Sequence, residues 1–398
     1  MAYQNVGTPR FYIDYLSYWK SLGLIETTRG YQFGGTTIDK GDPVGLDPVL
    51  PCEISLDTHI PSGSEILTDL KWGTTLDIKT LESINYVGLL GHNINQTFDD
   101  SEPGGAKIAF NKMRQEGAGI GSHDWIGLLG NVTSLVNAER SEGDGEANNL
   151  AIFPNSGFSI WGVEFDSSGF LGHTIDEEGN TIDLPLESDR ITLAMRWLKD
   201  GSALTVEGDL FVNSFCLGHY YDMPVSPDLS LSMEIQFDGY DSIKTLGGST
   251  LNRTRYKGSP KWGELNPWEI GESNGIMNRN GRRVWSLKFS YFADEDLFAS
   301  NYMSNTHLNY NSTNTDYDTN SDLNSDNTEF EYTLDNDSSF IAKVLNFVGN
   351  GERFIFQPNK DSSNPSDFAI CILDQKSFKI SQKAYKVYNI SMKIMEVW

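Results

Sequence analysis

Apolar and polar residues alternate along several segments of the chain, and this pattern predicts β-strands. Residues 285–291, 191–197 and 386–398 all alternate with a period of two, as do residues 229–237. In residues 229–237 one face is formed by Leu229, Leu231, Met233, Ile235 and Phe237. Because successive side chains of a strand point to opposite faces, each segment is expected to bury one face and expose the other, as in antiparallel sheets.

Helical patterns are few and short. Residues 11–22 are rich in aromatic side chains and end before Gly23, and residues 339–348 repeat apolar positions at helical spacing between a capping serine and Gly349. Turn residues are dense, with 38 Gly and 14 Pro. Short strands separated by turns favour sandwiches and barrels over α/β folds. The predicted fold class is therefore mainly β, an antiparallel β-sandwich plus a β-barrel-like C-terminal domain with few short helices.

The pattern also predicts a division into three parts. Residues 1–49 form an N-terminal arm with a short helix, residues 50–221 form the β-sandwich, and residues 222–398 form the β-barrel-like domain. The third part carries an Asn/Asp-rich insertion at residues 301–339. Asn, Asp, Ser and Thr supply 27 of the 40 residues from 301 to 340, too few apolar side chains to offset the entropy of ordering the segment by itself.

Charge is abundant and uneven. The net charge of −25, from 30 basic and 55 acidic residues, argues against nucleic acid as a partner, because phosphates require a basic face. Residues 301–340 hold eight acids and no Lys or Arg, whereas residues 253–288 hold eight bases and three acids. Complementary charge blocks on one chain favour assembly through protein contacts. The alternative is chance clustering on a solvated surface.

Trp, Tyr and Arg side chains mark candidate interface positions, since these residue types dominate binding hot spots. The aromatic and basic residues of the basic block and the C-terminus form the predicted interface: Arg253, Arg255, Lys257, Trp262, Arg282, Arg283, Trp285 and Trp398. Simple core packing of the tryptophans is the competing interpretation.

Catalytic and cofactor motifs are not found. The sequence holds no nucleophile elbow, no His-Glu-x-x-His pair and no Walker loop, and its six histidines are scattered. Its three cysteines, Cys52, Cys216 and Cys371, lie too far apart along the chain to indicate a disulfide framework. No apolar run approaches the roughly 20 residues of a membrane span, and the N-terminus carries no signal peptide. We therefore expect a non-enzymatic protein with no cofactor and no membrane insertion.

One weak metal pattern lies in the Asn/Asp-rich insertion. Oxygen-bearing side chains occupy the ligand positions of a calcium loop at Asp318, Asn320, Asp322, Asp326 and Glu329. The sixth position is Leu323, where the sharp turn of such a loop requires Gly. In a segment of this composition such a match arises easily by chance, so the sequence predicts no metal site.

Several segments carry a family resemblance: residues 217–224, 243–248, 261–263, 280–291, 354–358, 368–371 and 388–398. These segments resemble virion structural proteins of tailed bacteriophages, marine phages in particular, of the distal-tail and minor-tail type. In such proteins a similar closing strand completes a β-barrel that builds a ring at the tail tip. Residues 86–93 also resemble a strand of phage β-sandwich modules. The resemblance covers roughly the last 180 residues well and the middle of the chain loosely.

The resemblance implies a tail-tip or adaptor ring component of the virion, assembled in the host cytoplasm through protein contacts. Its expected partners are further copies of the chain and other virion proteins, with a host surface glycan as an additional candidate. The alternatives are a carbohydrate-binding host-recognition module, a capsid decoration protein and a polysaccharide hydrolase.

Overall fold

The fold is described from a computed structural model of the 398-residue chain. The structure describes residues 7–23, 44–46, 84–92, 158–165, 214–237, 240–254, 281–298, 338–364 and 367–397, and the backbone of the further strands given below. The helical elements are α1 Tyr15–Ser21, α2 Asp294–Leu297, a π-helical turn Ile341–Leu345 and α3 Asn346–Val348.

Strands make up most of the described chain. In chain order they are β1 Arg10–Asp14, β2 Ile25–Thr28, β3 Thr37–Lys40, β4 Cys52–Ser55, β5 His59–Ile60, β6 Glu65–Trp72, β7 Tyr86–Leu90, β8 Ala106–Gln115, β9 His123–Gly127, β10 Leu129–Val136, β11 Ala138–Arg140, β12 Asn149–Ile152, β13 Phe158–Phe165, β14 Leu171–Ile175, β15 Thr181–Pro185, β16 Arg190–Trp197, β17 Leu204–Thr205, β18 Leu210–Val212, β19 Ser214–Asp222, β20 Ser232–Gln236, β21 Tyr240–Lys244, β22 Thr250–Thr254, β23 Arg282–Ala293, β24 Phe354–Gln357, β25 Ala369–Leu373, β26 Lys379–Ala384 and β27 Val387–Glu396. The prediction of a mainly β protein with few short helices is confirmed.

One antiparallel sheet of eleven strands dominates the fold. Its order is β10-β13-β7-β19-β1-β24-β25-β27-β23-β20, and β26 also pairs with β27. A second sheet of seven strands has the order β11-β12-β8-β16-β6-β2, with β9 pairing β8. Four small sheets are also described: β14-β15, β17-β5, β18-β4-β3 and β21-β22.

The large sheet crosses the predicted domain boundaries. β1 does not belong to a peripheral arm, because it lies between β19 and β24 in the middle of the sheet. The predicted boundary between residues 221 and 222 falls inside β19, which ends at Asp222. Alternation in sequence identifies strands but does not reveal which strands pair, so these boundaries could not be placed from the pattern alone.

The middle of this sheet is buried on both faces. In β1, Phe11 and Ile13 join a large apolar cluster on one face, which we call the main core, while Tyr12 joins a smaller cluster on the other. All five residues of β7 are buried as well. Burial on both faces explains why these strands read as continuous apolar runs with no alternation.

The sheet curls around the main core. Trp285 of β23 and Phe356 of β24 lie three strand positions apart in the sheet order, yet their ring centroids are 5.2 Å apart. Phe340, which precedes the π-helical turn, contacts Phe11 of β1 at 5.8 Å and Phe292 of β23 at 6.1 Å. In a flat sheet, with strands about 4.8 Å apart, β1 and β23 would be too distant to share one ring.

The predicted helices are confirmed in part. The segment at residues 339–348 is helical, and the Ser339 hydroxyl accepts a hydrogen bond from the backbone N–H of Ala342. Ser339 and Phe340 are buried, so the Asn/Asp-rich insertion ends before Ser339 and not at it. Residues 11–14 belong to β1, and only Tyr15–Ser21 are helical.

Asp14 joins β1 to α1. Its buried carboxylate accepts hydrogen bonds from the backbone N–H groups of Leu16 and Ser17, which caps the helix. It also accepts one at 3.1 Å from the N–H of Leu217 in β19. Burial raises the pKa of Asp14 to about 6, against the effect of these hydrogen bonds. One side chain thus attaches the helix to the neighbouring strand.

Gly218 is required by this junction. It lies opposite Asp14 in the β1–β19 register, and a Cβ atom at this position would come 1.9 Å from the carbonyl oxygen of Ile13. The strands therefore approach too closely here for any side chain.

We expect Gly218→Ala to lower the free energy of unfolding by about 2–3 kcal/mol, because the added methyl group must displace backbone. Urea unfolding followed by circular dichroism measures the effect. Gly88→Ala is the matched control, since a Cβ at Gly88 of β7 would meet Cys216 at an ordinary 3.4 Å. Equal stability of the two variants would contradict the close approach.

His219 is buried in a neutral form. Its Nε2 lies 2.6 Å from the carbonyl oxygen of Lys343, so Nε2 carries the proton and donates. The rings of Tyr15 and Phe347 pack against it at 5.1 and 5.5 Å. Burial lowers the pKa of His219 to about 3, and burial also lowers the pKa of His92 to about 3.

These shifts predict a loss of stability in mild acid. Below pH 6.5 these two histidines become protonated in the unfolded chain, whereas in the folded chain they stay neutral down to about pH 3. Proton binding therefore favours the unfolded state, and stability falls as the pH falls. Asp14 acts in the opposite direction between about pH 6 and pH 3.8, because its folded-state pKa is raised.

The contribution of His219 is isolated by comparing wild type with His219→Gln in urea at pH 7 and pH 5. From pH 7 to pH 5 the free energy of unfolding should fall by about 2 kcal/mol more in the wild type than in the variant. The reason is that only the wild type has a histidine here that takes up a proton on unfolding. An equal fall in the free energy of unfolding of the two proteins would show that His219 has the same pKa in the folded and unfolded states.

Candidate interaction surface

The strand β20 forms one end of the large sheet. Within the part of the chain that the structure describes, it pairs with β23 alone, from Ser232 opposite Ser286 to Gln236 opposite Arg282. Ser232, Glu234, Ile235 and Gln236 are exposed, and only Met233 is partly covered. An edge strand of this kind presents unpaired backbone groups to any chain that can add a further strand.

The apolar face predicted for residues 229–237 is only half buried. Leu231 and Met233 pack against the main core, as expected. Leu229 is fully exposed, and Ile235 and Phe237 are 48% and 68% exposed. The prediction that the whole face is buried is wrong, because the core ends under the middle of this edge strand while the alternation continues beyond it.

A hairpin follows directly after β20. β21 and β22 pair with each other, with Ile243 opposite Leu251, and in the described pairings they join no other strand. The turn is closed by a hydrogen bond from the N–H of Gly248 to the carbonyl of Thr245, and Gly248 has a φ of +84°, which favours glycine. Ile243, Leu251 and the turn residue Leu246 are exposed.

Tyr291 adds an aromatic side chain near the same edge. A bulge interrupts the pairing of β23 between Phe289 and Phe292, and Tyr291 within it has a φ of +70° and is 79% exposed. The backbone before the bulge is held by Asp228, whose carboxylate accepts hydrogen bonds from the N–H and hydroxyl of Ser290. Non-glycine residues rarely adopt this conformation, and such positions concentrate at functional sites.

Together these residues define what we call the outer edge surface. Its members are large apolar side chains exposed on or near β20 and on the hairpin: Leu229, Ile235, Phe237, Ile243, Leu246, Leu251 and Tyr291. An isolated two-stranded hairpin is marginally stable in water, and this one exposes Ile243, Leu246 and Leu251, so it would gain stability from a surface that covers them. The arrangement is suited to binding a protein surface.

The predicted interface residues divide into three groups. Arg253 is exposed on β22 of the hairpin, opposite Asp241. Arg282 is half-buried on β23, opposite Gln236 of β20. The first therefore lies on the outer edge surface and the second lies beside it. Arg283 and Trp285 are buried. The remaining candidates lie outside the described residues: Arg255, Lys257, Trp262 and Trp398.

For Arg283 and Trp285 the interface prediction is wrong. Trp285 belongs to the main core and packs on Phe356. The Arg283 guanidinium forms a buried ion pair with Glu396 at 3.3 Å, donates to the carbonyl of Phe368 at 2.7 Å, and lies over the Trp285 ring. The cluster of bases in the sequence does not reveal that Arg283 pairs with Glu396, the last residue of β27.

The calcium pattern cannot be placed. Asp318, Asn320, Asp322, Asp326 and Glu329 all lie outside the described residues. Among the residues that the structure does describe, no group of three or more His, Cys, Asp or Glu side chains is placed to hold a metal ion.

Sequence reasoning missed the outer edge surface as a unit. The Gly247-Gly248 pair between alternating residues is a local sequence signal for this hairpin, but it does not show that the hairpin joins no other strand in the described pairings. The positive φ of Tyr291 has no signal in the sequence, because its surroundings read as one uninterrupted strand.

Comparison with known protein families, with curated proteins and with solved structures finds no match to this chain. Within the described ranges, no helix has the length and apolarity needed to cross a membrane.

The buried ion pair can be tested by its removal. Arg283→Ala leaves the Glu396 carboxylate buried without its partner and should lower the free energy of unfolding by about 3–5 kcal/mol. The double variant Arg283→Met with Glu396→Leu should recover most of that loss, because no charge remains buried. Urea unfolding measures both.

The surface pair of Lys393 and Asp374, 2.6 Å apart and partly exposed, supplies the control. Asp374→Ala should change stability by less than about 1 kcal/mol. If Arg283→Ala had normal stability but associated poorly, the result would contradict the buried ion pair and support the predicted interface role of Arg283.

Proposed function

We propose that the chain is a non-enzymatic structural protein of a tailed-phage virion, of the tail-tip or adaptor type, which acts by assembling with copies of itself and with other virion proteins. The phage assignment is supported by the resemblance of residues 217–224, 280–291 and 388–398 to virion proteins. Localisation to the virion, after assembly in the host cytoplasm, follows from the same proposal.

The observation that carries the assembly role is the outer edge surface. A terminal strand with exposed Ile235 and Phe237 continues into a hairpin with exposed Ile243, Leu246 and Leu251. Extended peptides and strands add readily to such edges, where backbone hydrogen bonds supply affinity and side-chain pockets supply specificity. A partner that covers these side chains would gain about 25 cal/mol for each Å² of apolar area removed from water.

The proposal predicts self-association of the purified chain. Sedimentation velocity over a concentration series should show species heavier than the 44.4 kDa monomer, and negative-stain images should show closed rings. The double variant Ile243→Ser with Leu246→Ser should shift assembly to concentrations roughly tenfold higher or more, because it removes two apolar contacts from the hairpin.

Leu22→Ser is the matched control, since Leu22 is an exposed apolar residue at the end of α1 and not on the outer edge surface. It should assemble like wild type. A wild-type chain that stays monomeric at every concentration would contradict the proposed self-assembly.

A further inference from the structure

A second exposed edge lies on the other side of the same group of strands. β26 pairs with β27 alone in the described pairings, and β27 pairs with β23, which pairs with β20. The four strands therefore form the series β26-β27-β23-β20. β26 is the edge along the first part of β27, while β25 pairs with the last residues of β27 on the same side, and β20 is the edge at the other side.

The two edges differ in chemistry. The β26 edge carries exposed lysines on the strand, in the residues before it and in the turn after it: Lys376, Lys379, Lys383 and Lys386. The β20 edge carries no lysine, and its central residue is Glu234. Because the whole chain has a net charge of −25, two copies repel each other except where a locally basic surface meets an acidic or apolar one.

Strand directions at the two edges are complementary. All three pairings in the series are antiparallel, so three successive reversals leave β20 running opposite to β26. When one copy is placed beside another in the same orientation, β20 of the first meets β26 of the second as an antiparallel pair. A head-to-tail contact would thus extend the sheet without inverting either molecule.

The side chains of the two edges also match face by face. Met233 opposes Trp285, which opposes Ile394, and Ile380 opposes Ile390, so the faces that carry Ile235 and Ile380 both point toward the main core. On the other face lie Glu234 and Lys379. Pairing of the edges would continue the apolar face over Ile235 and Phe237, and would place carboxylate and ammonium groups on the same side.

A symmetric contact between two β20 strands is disfavoured. Glu234 is the middle residue of Ser232–Gln236, so full-register antiparallel pairing of two copies would set the two carboxylates directly opposite each other. Like charges in that position destabilise a strand pair, whereas opposite charges stabilise it.

We propose that copies of this chain associate head to tail, with β20 of one copy adding to β26 of the next to form a continuous antiparallel sheet. The inference rests on the proposed function and specifies the surfaces that it uses. A heterologous contact of this kind closes into a ring when the rotation between copies permits and otherwise grows into a filament.

Charge exchange across the contact supplies the experiment. Glu234→Lys places a lysine against the basic edge, and Lys379→Glu places a glutamate against Glu234. Each variant alone should self-associate roughly tenfold more weakly than wild type in sedimentation velocity, because an attractive cross-strand pair becomes repulsive. An equimolar mixture of the two variants should recover assembly, since every contact in an alternating arrangement again joins opposite charges.

Asp361→Lys is the matched control, as Asp361 is exposed and lies on neither edge. It makes the same change in net charge as Glu234→Lys and should assemble like wild type. Melting temperatures equal to that of wild type establish that the variants are folded, and recovery in the mixture excludes misfolding as the cause of weak association.

The outcomes separate this inference from the proposed function. Wild-type assembly with both variants unaffected would overturn the head-to-tail contact and leave assembly through another surface. Impairment of Glu234→Lys with normal assembly of Lys379→Glu would overturn it in favour of a contact that does not use β26. A wild-type chain that stays monomeric would overturn the proposed function itself.

Discussion

The large sheet depends on burial of β1 between strands that come from distant parts of the chain. On one side of β1 the order runs through β19, β7, β13 and β10, and on the other through β24, β25, β27, β23 and β20. In the described pairings, β1 is the strand that joins these two halves. Its apolar residues contribute to the clusters on both faces, so residues 10–14 complete the core of the described sheet.

This central position explains the features at the end of β1. The chain leaves the sheet directly into α1, and Asp14 caps that helix while it accepts a hydrogen bond from β19. A buried carboxylate is stable only when hydrogen bonds replace its lost hydration, and here backbone groups of two elements provide them. The absence of a side chain at Gly218 allows the strands to approach at this point.

How much the sequence predicts depends on how each residue is buried. Strands with one buried face, such as β27 and residues 285–289 of β23, show clear alternation in the sequence. The alternation continues to Tyr291, which the bulge exposes, so the end of β23 departs from the pattern. β1 is buried on both faces and is followed at once by aromatic helical residues, so its apolar run could not be distinguished from helix. The helical segment before Gly349 was predicted because capping and spacing are local signals.

The candidate surface illustrates the same limit. Leu231 and Ile235 look equivalent in the sequence, yet the first packs on the main core and the second is exposed. Their difference is set by the tertiary fold, namely by where the core ends under β20. Arg283 is the reverse case. It looks like a surface charge in the sequence, but it is buried and paired with Glu396, which lies 113 positions away.

The large sheet ends at β10 and β20, and β26 adds a further exposed edge beside β27. In most proteins such edges are protected from uncontrolled pairing by charge, above all by lysine. β26 has this protection, whereas β20 combines an unpaired edge with exposed Ile235 and a single carboxylate. The strong negative charge of the chain reduces indiscriminate contact between copies, because most of their surfaces repel. In the proposed head-to-tail assembly, specificity of association would therefore depend on the few places where charge and strand direction agree, which are the β20 and β26 edges and not the faces of the sheet.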